Sequence, residues 1–246
     1  MDLLQNNIPS LFGIGIEGYS ELKLLMDNQT RFVTTLNAEI IVRALEDRRL
    51  YDIVNNSIVT LDGQWTKFLF DRKYNKIYKS NKISGSSFIF DIIKKAKQNN
   101  FMIMLLGAEE KVNNKAVKNL KDQFQYDKIC GYSPPYSEYP FNQKISNKIK
   151  QQISNHRPKF IIAAFGVPKQ EYWAQDNLKF LNEYGVNYVM FFGGVLDFVA
   201  GKFRRAPKVL QNYGLESVFR LLQNPSRLER EFNKLKLFRY YFKHKV

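Results

Sequence analysis

Three short polar stretches, each following an apolar run, carry side chains able to do chemistry: Thr35-Leu-Asn37, Asp62-Gly63 and Gly166-Val-Pro-Lys-Gln170-Glu171. Asp62 ends the run Ile58-Val-Thr-Leu61, where a carboxylate can act as a general base or bind a hydroxyl. An Asp ahead of a helix can equally serve as its N-cap. Thr35 and Asn37 are small polar groups suited to holding a sugar or to closing a turn. In the third stretch, Gly166 and Pro168 shape a turn before a helix N-terminus, which is a ready anion site, and Gln170 adds an amide for a hydroxyl or phosphate. An ordinary strand-to-helix turn has the same composition, and the spacing matches no P-loop or dinucleotide fingerprint.

Further along, Asp197 follows Gly193-Gly194 inside the apolar segment Val195-Leu-Asp-Phe-Val199, so its carboxylate calls for a partner: a nucleotide hydroxyl or imide, or Arg204 or Arg205. Arg220, Arg227 and Arg230 are spaced near whole helical turns, as a diphosphate clamp or a solvated helix face would be. Leu228, Phe232, Leu235, Phe238 and Phe242 make an apolar stripe among cations, which fits docking on the body or dipping into a bilayer interface. His156 and His244 are too few and too far apart for a metal site, and no Asp-x-Asp pair occurs to hold a divalent ion on a nucleotide sugar. Cys130 reads as a small buried hydrophobe.

The elements that must position these residues alternate. Apolar runs at 32–35, 58–61, 101–106, 128–131, 160–165 and 188–192 are separated by helical patterns at 38–47, 88–97, 113–124, 145–154 and 170–181. The expected fold is α/β: a Rossmann-like, mostly parallel sheet with helices on both faces, plus a helical, basic C-terminal appendage. Gly107, Gly166 and Gly193-Gly194 directly follow strands, and 131–140, rich in Tyr and Pro and containing Tyr132, is expected to be a rim loop. The boundary falls between a catalytic domain, 1–206, and the appendage, 207–246, whose helical pattern is interrupted at Pro225.

Composition narrows the partners. A net charge of +15 asks for an anionic one, and the last 46 residues hold twelve Lys/Arg against three Glu. One cysteine excludes an internal disulfide and fits a reducing compartment. No apolar run reaches the length of a membrane span and the start lacks a signal-peptide pattern, so the expectation is a soluble or peripheral cytoplasmic protein. A nucleic-acid-binding module is disfavoured because the cations accompany a continuous apolar stripe and no nucleic-acid motif appears, and nucleic acid is not an expected partner. The absence of Gly-x-Gly-x-x-Gly after any strand disfavours a Rossmann oxidoreductase. A non-catalytic basic membrane- or nucleic-acid-binding module on the same fold stays as the alternative to an enzyme, and an apolar edge or the stripe leaves self-association open.

Phe192-Gly-Gly-Val-Leu-Asp197-Phe-Val-Ala-Gly201-Lys-Phe-Arg-Arg205-Ala-Pro207, Gly214-Leu-Glu216 and Arg220-Leu-Leu-Gln-Asn-Pro225-Ser-Arg227 together resemble the WecG/TagA/CpsF family of bacterial glycosyltransferases. Thr35-Leu-Asn37-Ala-Glu39, Asp62-Gly63, Leu106-Gly107 and the Gly166 turn support the resemblance, which runs from about Arg31 to Arg230. It implies inverting transfer of a sugar, often of N-acetylmannosamine type, from a UDP donor to a polyprenyl-diphosphate-linked acceptor in cell-surface polysaccharide synthesis. No cofactor and no essential metal are implied, and the site is the inner face of the membrane. By matching position, Asp62 is the implied base, and Thr35 and Asn37 hold the donor sugar. Gln170, Tyr132 and Asp197 line the nucleotide or sugar pocket beside the Gly166 turn, and Arg220, Arg227 and Arg230 close over the diphosphate from the membrane-facing appendage. Two departures, Gln64-Trp65 after Asp62-Gly63 and Gly85-Ser86-Ser87 without a following acid, bear on donor and acceptor identity rather than on reaction class.

Overall fold

Long apolar runs that need burial on both faces form the middle of a six-stranded parallel sheet in the computed structural model of the chain. The structure describes residues 8–18, 24, 26–27, 29–203, 206–207, 210, 216–225 and 228–244. A short antiparallel hairpin, β1 (Ser10–Leu11) and β2 (Ile14–Gly15), precedes the sheet. Then follow β3 (Arg31–Leu36), α1 (Ala38–Glu46), α2 (Arg48–Asn55), β4 (Ile58–Leu61), α3 (Gln64–Lys73) and α4 (Gly85–Gln98). The next elements are β5 (Ile103–Gly107), α5 (Glu110–Phe124), β6 (Ile129–Tyr132), α6 (Gln143–His156) and β7 (Phe160–Ala164). The chain continues through α7 (Lys169–Asp176), α8 (Leu178–Glu183), β8 (Tyr188–Phe191), α9 (Val195–Val199), α10 (Glu216–Gln223) and α11 (Leu228–His244).

The strand order is β4-β3-β8-β7-β5-β6. Register pairs Gly107 with Ala164 at the carboxyl ends of β5 and β7, and Leu106 with Tyr132 at those of β5 and β6. After β5 the chain steps outward to β6, whereas after β7 it steps the other way to β8. The sheet therefore reverses its winding between β5 and β7, and in open α/β sheets ligands bind beyond the carboxyl ends at such a point.

Caps set several helix starts. Asn37 Oδ1 accepts from Glu39 N and Ile40 N at 3.0 and 3.2 Å, Asp47 Oδ1 from Leu50 N, and Asn142 Oδ1 from Ile145 N. The helical pattern read as one helix over 170–181 is two, α7 and α8. Asn177 sits between them and its side-chain amide takes the Trp173 carbonyl at 2.8 Å, which ends α7. The pattern over 38–47 is followed by a further helix, α2, because Asp47 ends α1 and caps α2.

The described residues group into two compact units. One draws on Met1–Leu24, Thr34–Ser84 and Ala206–Val246, the other on Leu25–Val33 and Gly85–Arg205. In the first, α11 packs along α1: Leu237 is 1% exposed, and Lys236 Nζ and the Tyr240 hydroxyl reach Glu46 Oε1 at 3.0 and 3.3 Å. Leu228, Phe232, Leu235 and Phe242 of the expected stripe are exposed. Docking of this helix on the body and exposure of its stripe thus coexist, because they use different faces.

Candidate active site

In the second unit, the turns after β5 and β7 frame the switch point. Gly107 has φ +104°, and a Cβ there would lie 2.8 Å from the Ala164 carbonyl, so both conformation and space require glycine. Its own carbonyl accepts from Asn113 Nδ2 at 2.8 Å and Ser133 Oγ at 3.1 Å, and Asn113 Nδ2 also reaches the Leu105 carbonyl at 3.0 Å. One buried amide thus locks the strand end to α5. Gly166 has φ +85° with no described residue within 4 Å of where a Cβ would stand, which leaves room at its backbone for an incoming group.

Gln170 and Glu171 lie in the first turn of α7, whose dipole favours an anion, and the Gln170 amide donates to the Gly166 carbonyl at 3.2 Å. Gln170 is 1% exposed; its Nε2 donates to Glu171 Oε1 at 2.9 Å, and its Oε1 has no hydrogen-bond partner among the described residues. A buried acceptor left in that state is costly, about 1–3 kcal/mol, unless a ligand hydroxyl or N–H reaches it. Lys169, beside it, donates to the Ser137 carbonyl at 3.0 Å and to Glu138 Oε2 at 2.8 Å, and stacks 4.6 Å from the Tyr136 ring centre. The ammonium holds the Glu138 carboxyl below its usual range and ties the 133–138 loop to the helix start.

Tyr132 ends β6, and burial raises its phenol above the ordinary range, so it stays a neutral hydroxyl. Asp197 lies in α9 and is less enclosed than its apolar neighbours imply. Its carboxylate is 3.6 Å from Lys202 Nζ, which also bonds Glu109 Oε1 at 2.9 Å in the turn after β5. The expected partners Arg204 and Arg205 lie outside the described residues.

In the first unit, neighbouring strands bring Thr35, Asn37 and Asp62 together. The Asp62 amide donates to the Leu36 carbonyl at 2.9 Å, and the Ile83 amide to the Leu61 carbonyl at 2.8 Å. The cap position of α3 falls on Gly63, one residue beyond Asp62. Thr34 Oγ1 bonds Ser57 Oγ at 2.7 Å, so strand alternation sends the buried Thr35 to the opposite face. Asn37 spends its side-chain oxygen on capping α1 and keeps its amide nitrogen as a donor. Arg227 lies outside the described residues. Arg220 falls on α10 and Arg230 on α11, and their side chains also lie outside what is described.

Sequence reasoning missed Asn113, Ser133, Lys169 and Lys202. Asn113 had a readable signal, since it stands beside Val112 on the helix face that Ala116 and Leu120 make apolar. Lys169 and Lys202 had none, because a lysine among many gives no sign of its partner.

The parallel sheet, its switch-point turns and a polar helix start define an α/β protein with a candidate ligand site at the switch point. The chain matches the Glycosyl transferase WecG/TagA/CpsF family over residues 12–246, and it belongs to that family. A relative from Bacillus spizizenii, named N-acetylglucosaminyldiphosphoundecaprenol N-acetyl-beta-D-mannosaminyltransferase, is 25% identical over 210 residues, covering 85% of this chain and 78% of the relative.

Proposed function

We propose that this glycosyltransferase moves an N-acetylmannosamine-type sugar from a UDP donor to a polyprenyl-diphosphate-linked N-acetylglucosamine, with inversion at the anomeric carbon and without a metal. The Bacillus relative's name supports both the sugar and the acceptor, and the lack of an Asp-x-Asp pair supports metal independence. Asp62 takes the proton of the acceptor hydroxyl as its oxygen bonds the anomeric carbon, and the bond to the β-phosphate oxygen breaks with its electron pair leaving on UDP. Thr35 and the Asn37 amide hold the sugar. Gln170, Tyr132 and Asp197 bind the nucleotide half beside Gly166. The α7 N-terminus and Arg220, Arg227 and Arg230 stabilise the charge that develops on the diphosphate.

The observation that carries this reading is the start of α7 at the switch point, where Gly166 leaves room at its backbone and the buried Gln170 oxygen has no hydrogen-bond partner among the described residues. Among the described residues no helix is long and apolar enough to cross a membrane. In this reading the cationic C-terminal region carries the protein to the lipid-linked acceptor at the inner face of the membrane. UDP release and product mass, measured over UDP-hexoses and UDP-N-acetylhexosamines with a polyprenyl-diphosphate N-acetylglucosamine analogue, test it. One added N-acetylhexosamine is expected, and no UDP release from any donor rejects the proposal.

A further inference from the structure

The strand end that carries Asp62 leads directly into a helix with an unusual surface. Trp65 and Phe68 of α3 are 49% and 52% exposed, although Thr66, Leu69 and Phe70 of the same helix are buried. The two rings meet edge-on at 6.3 Å, and Trp65 meets Phe238 of α11 edge-on at 5.3 Å. Phe238 neighbours Leu235 and Phe242 at helical spacing, and both are exposed. Phe68, Trp65, Phe238 and the α11 stripe therefore form one apolar row across two helices of the first unit.

The charge around the row is predominantly positive. Residues 64–84 hold six Lys/Arg against one Asp, and that Asp71 is already engaged by Lys67 at 2.5 Å and by Ser80. Arg72, Lys73, Lys76, Lys79 and Lys82 follow, and α11 adds Arg239 and Lys243, while its Lys234 and Lys236 pair with Glu231 and Glu46. Aromatic rings flanked by lysine and arginine fit the headgroup level of an anionic bilayer, where the rings rest at the acyl boundary and the cations meet lipid phosphates.

We infer that α3 is a second bilayer contact alongside the C-terminal helix, with Trp65 and Phe68 entering the interface of an anionic membrane. Trp65 lies three residues after Asp62, so this contact holds the proposed base at the depth where a polyprenyl diphosphate presents its head. The inference rests on the membrane-linked acceptor proposed above, but its test does not depend on catalysis.

The chain has two tryptophans, and Trp173 is 3% exposed, so vesicle-dependent emission changes report Trp65. The full chain is mixed with vesicles of phosphatidylglycerol and phosphatidylcholine, with and without bromine on the acyl chains. The expected result is a blue shift and bromine quenching, both lost in Trp65→Phe while that variant stays bound. Trp65→Ser/Phe68→Ser should bind these vesicles about tenfold or more weakly, as removal of two interfacial rings predicts, and Lys76→Gln about fivefold more weakly. Phe68→Leu should bind like wild type, which separates loss of the surface from loss of the fold.

Absence of vesicle binding overturns the inference, as does a bound chain whose Trp65 is neither shifted nor quenched. Self-association that Phe68→Ser abolishes with vesicle binding intact also overturns it, since the row then belongs to a second copy. Quenching without UDP release would reject the reaction reading alone; UDP release without quenching would reject the α3 contact alone.

Discussion

Asp62 owes its candidacy to position: it is the first residue after β4, half-buried, with its amide tied to Leu36 at the neighbouring strand end. A positioned base contributes about 10² to 10⁴ in rate. Asp62→Asn should therefore lower kcat by a factor in that range and leave UDP affinity, measured by calorimetry, near the wild-type value. Near-normal turnover would remove Asp62 from the role. Cys130 offers a second residue-scale outcome. Burial pushes its thiol up to about 11, so at pH 8 the thiolate is scarce in the folded chain. Iodoacetamide should label the native chain slowly and the urea-unfolded chain rapidly, and the native rate should climb only as pH approaches 11.

At the scale of elements, the turn after β5 depends on α5 more than on its own residues. Asn113 is buried and feeds two carbonyls of β5, while Gly131 on β6 leaves the room it needs, since a Cβ there would overlap its side-chain oxygen. Asn113→Ala removes one hydrogen bond from each carbonyl, leaving Gly107 only that from Ser133 Oγ, and should cost about 1–3 kcal/mol, seen as a melting temperature lower by several degrees. It should also raise KM for the UDP donor more than it lowers kcat, because the disturbed turn lies at the proposed nucleotide crevice. The C-terminal helix shows the same dependence of element on context. Its most regular apolar stripe faces out, and Leu237, off that stripe, is the position sealed against α1.

Over the whole molecule, a net charge of +15 concentrated near 64–84 and in the last 46 residues makes surface electrostatics the controlling variable. Screening shortens from about 10 Å at 0.1 M salt to about 3 Å at 1 M. Binding to anionic vesicles should weaken steadily across that range, and the apolar row should leave a residual affinity that salt does not remove; a salt-independent affinity would contradict the electrostatic share. Deleting 226–246 removes α11 together with its stripe and cations, and should abolish most vesicle binding and activity on vesicle-borne acceptor. Survival of both would reduce the helix to a cover for α1.

The amino-acid sequence by itself determined the alternation of strands and helices, the α/β class and the residues at strand ends, Asp62, Gly166 and Gln170 among them. Those features are local: a strand buried on both faces needs a continuous apolar run, and a strand-to-helix turn needs small, polar or positive-φ residues within a few positions. Only the tertiary structure decided the order β4-β3-β8-β7-β5-β6, and with it the reversal of winding between β5 and β7 that marks the crevice. It alone put Asn113 under Gly107, paired Asp197 with Lys202, and turned Trp65 toward Phe238. Strand order and helix facing are settled by which distant surfaces bury each other, and such pairings leave no periodic trace along the chain.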